Sequence, residues 1–190
     1  MSNACEVRII GGKFRSRKIT FPELPELRPT PNRIRETLFD WLQQDAVGAH
    51  CLDAFAGSGA LGFEAMSRGA ASVVFLEKDR VAVQALKRNA ELLGITDVQY
   101  IEKDSMEWLN KTNSGKTFDL VFLDPPFSQP WLSPCLESLA NHHWLSPDAW
   151  VYLESSQPFD TMTIPQAFDL YRHKKAGQVH FGLLRYLTNS

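Results

Sequence analysis

Residues 51–69 read CLDAFAGSGALGFEAMSRG, and the fold turns on how this stretch is parsed. CLDAF has the apolar character of a buried strand, and ALGFEAMSRG that of a helix closed by Gly69. Between them Gly57-x-Gly59-x-x-Gly62 has the spacing of a strand–turn–helix unit that brings backbone close to a nucleotide-like ligand. Such a turn serves dinucleotides and other cofactors alike, so the glycines alone do not choose the ligand.

Outward from this unit the pattern repeats. SVVFLE reads as a second strand, RVAVQALKRNAELLG as a helix ending at Gly94, VQYIEKD as a third strand and SMEWLN as a short helix. FDLVFLDPPF is a fourth strand with its exit loop, PWLSPCLESLANHHWL a helical segment and AWVYLES a fifth strand. FDLYRHKKAGQVHFGLLRYL closes the chain as an antiparallel hairpin turning near Ala176-Gly177. Alternating strands and helices predict an α/β fold: a Rossmann-like, mostly parallel twisted sheet with helices on both faces and ligands at the C-terminal strand ends.

Before this array, VRIIGGKFRSRKITF (residues 7–21) predicts a small N-terminal β-hairpin with a tight turn at Gly11-Gly12. A proline-spaced stretch follows. Asn32 is then placed to cap a helix through RIRETLFDWLQQ, whose Ile34, Leu38, Trp41 and Leu42 share one face.

A chain of 190 residues, 44% hydrophobic and 22% charged, has room for one domain with a full core and a small extension. No apolar run approaches the roughly 20 residues of a membrane span, and the start lacks a signal peptide's apolar core, so a cytoplasmic location is expected. Cys5, Cys51 and Cys135 are too few and scattered for a disulfide framework or, with His142 and His143, for a metal site. The net charge of −2 hides a basic segment, Arg8, Lys13, Arg15, Arg17 and Lys18, that contains no acid between Val7 and Phe21.

The residues ending successive strands carry the ligand argument. Asp53, Glu77, Asp104 and Asp124 ring the glycine turn. A pyrophosphate beside Asp53 would meet repulsion of about 4 kcal/mol at ~4 Å and an effective dielectric near 20, so a ligand bearing a positive group fits better. S-adenosylmethionine is such a ligand: its ammonium suits Asp53, its ribose diol Glu77 and its adenine amino group Asp104. An NAD enzyme would share the turn and Glu77 but has no use for the next motif.

That motif is Asp124-Pro125-Pro126-Phe127. Each proline fixes φ and removes an N–H, so the loop offers acceptors and a flat ring on a stiff frame. The Asp124 side chain and the Pro125 carbonyl can accept both N–H bonds of an exocyclic amine on a base stacked against Phe127, aiming its nitrogen at a methyl sulfonium. A non-catalytic RNA-binding factor with the same basic segment remains an alternative.

DAFAGSGALGFEAMSRGA, FLEKD, EKDS and FLDPPF together resemble the amino-methyltransferases of adenine N6 and guanine N2, a class I fold. With RIIGGKFRSRKI, LRPTPNRIRETLFDWL, VYLES and KKAGQVHFGLLRY added, nearly the whole chain resembles the bacterial 16S rRNA guanine-N2 methyltransferases of the RsmD family. The resemblance implies a basic hairpin arm at residues 1–30 and a methyltransferase domain at 31–190. It implies S-adenosylmethionine held by Thr30 and Arg35 of a closing segment, by Asp53, Phe55, Gly57 and Gly59, by Glu77 and Lys78, and by Asp104 and Ser105. Asp124 to Phe127 would hold the target base, and Arg8, Lys13, Arg15, Arg17 and Lys18 would contact RNA. The implied partner is 16S rRNA within a 30S subunit or assembly intermediate, met by a monomer without metal or membrane. Adenine-N6 methylation of DNA or RNA is the alternative. Ala54 and Asn32 depart from the pattern, which favours a larger apolar residue and an acid there.

Overall fold

The computed structural model describes residues 4–25, 27–128 and 130–187. The central stretch forms β3 (His50–Asp53) and α2 (Ala60–Ser67), followed by β4 (Ser72–Leu76), α3 (Arg80–Leu93), β5 (Val98–Ile101), α4 (Ser105–Leu109) and β6 (Phe118–Leu123). Next come α5 (Leu132–Asn141), β7 (Leu145–Ser155) and the closing pair β8 (Phe168–Ala176) and β9 (Val179–Tyr186). Ahead of them lie β1 (Ala4–Arg8), β2 (Lys18–Pro22) and α1 (Asn32–Leu42). No helix among the described residues is long and apolar enough to cross a membrane.

The main sheet has seven strands in the order β5-β4-β3-β6-β7-β9-β8. The pairings from β5 to β7 are parallel, and β9 and β8 pair antiparallel, as the sequence predicts. Strand alternation builds two cores. Leu120 and Phe122 of β6 face a cluster shared with α1, α2 and α3, while Val121 and Leu123 face one shared with α5 and Leu109 of α4. The chain enters at β3, runs out to β5 and returns beside β3 as β6, so a crevice opens above the β3 and β6 ends, where the order reverses.

Three local expectations are corrected. The N-terminal hairpin exists, with Val7 opposite Ile19, but its strands are joined by residues 9–17 instead of a tight glycine turn. That loop lies on the C-terminal end of α2: Lys13 N–H donates to the Ser67 carbonyl at 2.7 Å, and a Cβ on Gly12 (φ 74°) would sit 1.8 Å from that oxygen. The two glycines therefore permit close approach to a helix. Asn32 is the first residue of α1 and makes no cap bond; its Oδ1 accepts from Arg35 at 2.6 Å. β7 begins at Leu145, earlier than AWVYLES implies, because Leu145 pairs with Phe118 across an irregular register.

The hairpin shares the core of the sheet. Ile19 and Phe21 join the α1–α3 cluster, and Thr20 exchanges hydrogen bonds with the buried Asn89 of α3. α3 ends as expected at Gly94, in the left-handed conformation, and at its start the Asp79 side chain caps it by accepting from Ala82 N–H.

Candidate active site

A cleft of about 1090 Å³ opens at the switch point. Its floor is the turn after β3. Gly57 has φ 50° and Gly59 φ 76°, backbone that favours glycine. Gly62 lets α2 settle on the sheet, since a Cβ there would lie 2.3 Å from the Phe75 ring. Asp53 ends β3 almost wholly buried and accepts from Gly62 N–H at 3.0 Å. Burial pushes its carboxyl up to about 8; the Gly62 bond opposes the rise and the charge of Glu77 adds to it.

Glu77, just past β4, is held by two backbone donors, Gly57 N–H at 2.9 Å and Asp79 N–H at 2.8 Å. Asp104 caps α4 by accepting from Glu107 N–H at 3.1 Å and also lines the cleft. The buried Ser105 hydroxyl donates to the Ala54 carbonyl, tying the α4 start to the β3 end. Lys78 lines the rim and is exposed.

The loop after β6 forms the opposite wall: Asp124 is half-buried, Pro125 buried and Phe127 48% exposed. No donor among the described residues reaches the Pro125 carbonyl, which stays available as an acceptor. Beside Asp124 stands Glu154, near the end of β7, buried and lining the same cleft. Thr30 Oγ1 donates to Glu154 at 2.7 Å and lies 3.5 Å from Asp124 Oδ2, while Tyr152 donates to Glu154 at 2.8 Å. Burial raises the Asp124 carboxyl well above its ordinary range, the charges of Glu154 and Asp53 raise it further, and Thr30 opposes. Glu154 is raised by burial, against its bonds from Thr30 and Tyr152.

Of the residues singled out from sequence, Thr30, Asp53, Phe55, Gly57, Glu77, Lys78, Asp104, Ser105 and Asp124 to Phe127 line this one cleft. Gly59 shapes the turn from behind. Arg35 does not reach the cleft: it is fully buried and donates to Glu64, to Asn32 and to the Arg8 and Thr30 carbonyls. Its role is to hold Thr30, and with it residues 27–31, which roof the cleft.

The basic segment Arg8–Lys18 lies elsewhere. Lys13 sits on the C-terminal end of α2, and Arg17 donates to the Leu92 carbonyl near the end of α3 at 3.0 Å, whereas Asp124 follows the C-terminal end of the central strand β6. Lys18 pairs with Glu6 at 2.6 Å, Arg8 donates to the Ser16 carbonyl, and Arg15 is exposed.

Glu154, Trp131, Gln178 and Val179 were not anticipated. Glu154 carries the same signal as the other acids, a carboxylate ending a strand, and VYLES contains it. Trp131, whose ring stacks with Phe55 at 5.9 Å, follows the Asp-Pro-Pro-Phe loop but has no spacing that marks it. Cys135 is unsuited to nucleophilic attack, because burial pushes its thiol up to about 12.

The charges in the cleft fit a cationic cofactor such as S-adenosylmethionine. Asp53, Asp124 and Glu154 are carboxylates that burial penalises and a cation would relieve.

Comparison with known proteins agrees with this architecture. The family model described as conserved hypothetical protein 95 matches residues 7–185. The ribosomal RNA small subunit methyltransferase D of Escherichia coli K12 is 42% identical over 182 residues, 96% of this chain and 91% of that protein. The protein of the same name from Haemophilus influenzae is 40% identical over 180 residues, 94% of this chain and 93% of its own length. A solved Escherichia coli structure superposes with a TM-score of 0.87 at 40% identity, covering 97% of this chain and all of that one. The chain belongs to the ribosomal RNA small subunit methyltransferase D (RsmD) family.

Proposed function

We propose that this protein methylates the exocyclic N2 amine of a guanine in 16S rRNA, using S-adenosylmethionine, in the cytoplasm and as a monomer on a 30S subunit or assembly intermediate. Family membership supports the reaction class and the RNA. The single observation that carries the chemistry is the placement of Asp124-Pro125-Pro126-Phe127 against buried carboxylates in one cleft.

S-adenosylmethionine supplies an electrophilic methyl group on a cationic sulfur. Asp53 would hold its ammonium, Glu77 its ribose and Asp104 its adenine amine, with Ser105 fixing the α4 start. Lys78 at the rim and Thr30 in the roof complete the pocket. Phe127 offers its exposed ring to a base turned out of its stack, and Asp124 and the Pro125 carbonyl accept the two amine hydrogens, which orients a nitrogen whose lone pair is delocalised. As positive charge grows on that nitrogen, the Asp124 carboxylate stabilises it more than it stabilised the neutral amine. Asp124 or water then takes the proton. Arg8, Lys13, Arg15, Arg17 and Lys18 are assigned a secondary RNA contact, remote from the target base, by the arm at residues 1–30.

The test is transfer of tritiated methyl from S-adenosylmethionine to naked 16S rRNA and to 30S particles from a deletion strain, followed by nucleoside analysis. Label in N2-methylguanosine is expected. Label in N6-methyladenosine, or in no nucleoside, overturns the assignment.

A further inference from the structure

We propose that the exposed edge strand β8 is a track for RNA, on which Arg172, Lys174 and Lys175, continued by Arg185 of β9, hold the phosphate backbone that flanks the target base. This rests on the reading of the protein as an RNA methyltransferase.

The strand's position carries the argument. β8 is the outer edge of the sheet, and its residues 171–175 are all exposed. The turn that follows, at Gly177-Gln178, brings Gln178 and Val179 into the wall of the catalytic cleft. The basic stripe therefore starts at the cleft's rim and runs away from it along the edge, about 10 Å from Lys175 to Arg172 at ~3.3 Å per residue. The Arg8–Lys18 segment sits at the other end of the sheet, by the ends of α2 and α3.

The charge is local, and the acids that face it, Asp148 and Asp169, stand by Arg185 alone. From Leu170 to Tyr186 the sequence holds Arg172, Lys174, Lys175 and Arg185 and no acid, in a chain whose net charge is −2. Among the described residues, Arg172, Lys174 and Lys175 form no ion pair; Arg185 lies 3.7 Å from Asp148. A register shift between Leu170 and Arg172 interrupts the regular ladder beside Tyr171, which is 49% exposed.

Aromatic rings interleave with the cations. The Arg172 guanidinium lies 5.1 Å from the Tyr171 ring, Lys174 Nζ 5.9 Å from Trp41, and the Arg185 guanidinium 4.3 Å from Trp150. Arg172 stands opposite Leu183 and Lys174 opposite Phe181, on the α1 side of the sheet, whereas Lys175 stands opposite His180 on the other. Cations on both sides of a free edge suit a single strand that crosses it, with flat rings available to unpaired bases.

The triple variant R172Q/K174Q/K175Q keeps polar side chains and removes three charges. Its KM for RNA is expected to rise roughly tenfold or more, and the log–log salt dependence of RNA binding to lose about two units of slope. Its affinity for S-adenosylmethionine by calorimetry should equal that of wild type, which also reports the fold. Photocrosslinking of wild-type protein to 4-thiouridine-labelled 16S rRNA should label peptides within residues 170–178. Unchanged KM and salt slope, or crosslinks confined to other segments, overturn the proposal and leave the charges as protection of an open sheet edge. A wild-type protein that methylates no RNA instead overturns the enzymatic reading on which it rests.

Discussion

Thr30 donates its hydroxyl to Glu154 at 2.7 Å, joining the segment before α1 to the end of β7, 124 residues away. The same hydroxyl lies 3.5 Å from the half-buried Asp124, so one donor faces two carboxylates on the wall assigned to the target base. Thr30→Val removes it while preserving shape. Both carboxyls should rise further, and the acidic limb of the pH–kcat profile should move to higher pH, with kcat at neutral pH falling as less Asp124 is ionised. Stability should drop by about 1–3 kcal/mol, since buried acceptors lose their partner. Thr30→Ser should restore both. A profile that keeps its acidic limb in place would confine Thr30 to packing.

Asp53 makes the stability of the ligand-free protein depend on pH in a defined direction. Its folded carboxyl titrates at about 8, whereas an unfolded aspartate titrates near about 3.9. As pH rises from about 4 to about 8 the unfolded chain releases this proton first, so the group costs stability across that window and no more above it. Asp53→Asn can still accept from Gly62 N–H and carries no charge. The variant should melt several degrees above wild type at pH 8, match it at pH 4, and bind S-adenosylmethionine more weakly. Thermal scans at the two pH values, with calorimetric titration, check the three outcomes.

The sheet was legible because short apolar strands, buried on both faces, alternate with helices closed by Gly69 and Gly94, signals that act within a few residues. The acids at strand ends were legible for the same reason, as topology alone brings successive strand ends together. Arg35 was placed in the cofactor pocket by the resemblance of its segment to the family's closing segment, but its partners, Glu64 and the Arg8 carbonyl, come from other elements and draw it inward. Gly11-Gly12 misled similarly: a glycine pair reads as a tight turn, and only the docked α2 shows that its purpose is close approach. Gln178 and Val179 reach the cleft through an antiparallel hairpin whose placement beside β7 is a tertiary fact.

Glu64 is the second hub of the fold. Fully buried, it accepts from Ile10 N–H at 2.8 Å, Gly11 N–H at 2.9 Å, Arg68 Nε at 2.8 Å and Arg35 Nη1 at 3.2 Å. Arg35→Leu should cost about 3–5 kcal/mol, because it leaves a buried charge with fewer partners. Arg35→Lys should rescue little, as one ammonium cannot span the partners a guanidinium fork reaches. Chemical denaturation measures both. A loss below about 1 kcal/mol for the leucine variant would show that Arg68 and the two backbone donors suffice.

Phe127 separates binding of the base from binding of the cofactor. Its ring is 48% exposed at the end of a loop stiffened by two prolines, so a leucine there should leave the fold intact while removing a stacking face. Base–aromatic stacking is worth about 1–3 kcal/mol, which predicts kcat/KM for RNA lowered by roughly five- to 150-fold in Phe127→Leu. Tyr and Trp at the same position should retain most of the activity, and all three variants should bind S-adenosylmethionine as wild type does. Asp124→Asn should behave differently, since it keeps an acceptor for one amine hydrogen but loses the charge that answers the growing cation. Its defect should appear in kcat under single-turnover conditions, with RNA affinity nearly unchanged. An Asp124→Asn variant with wild-type single-turnover rate would mean that the carboxylate's charge takes no part in the transfer.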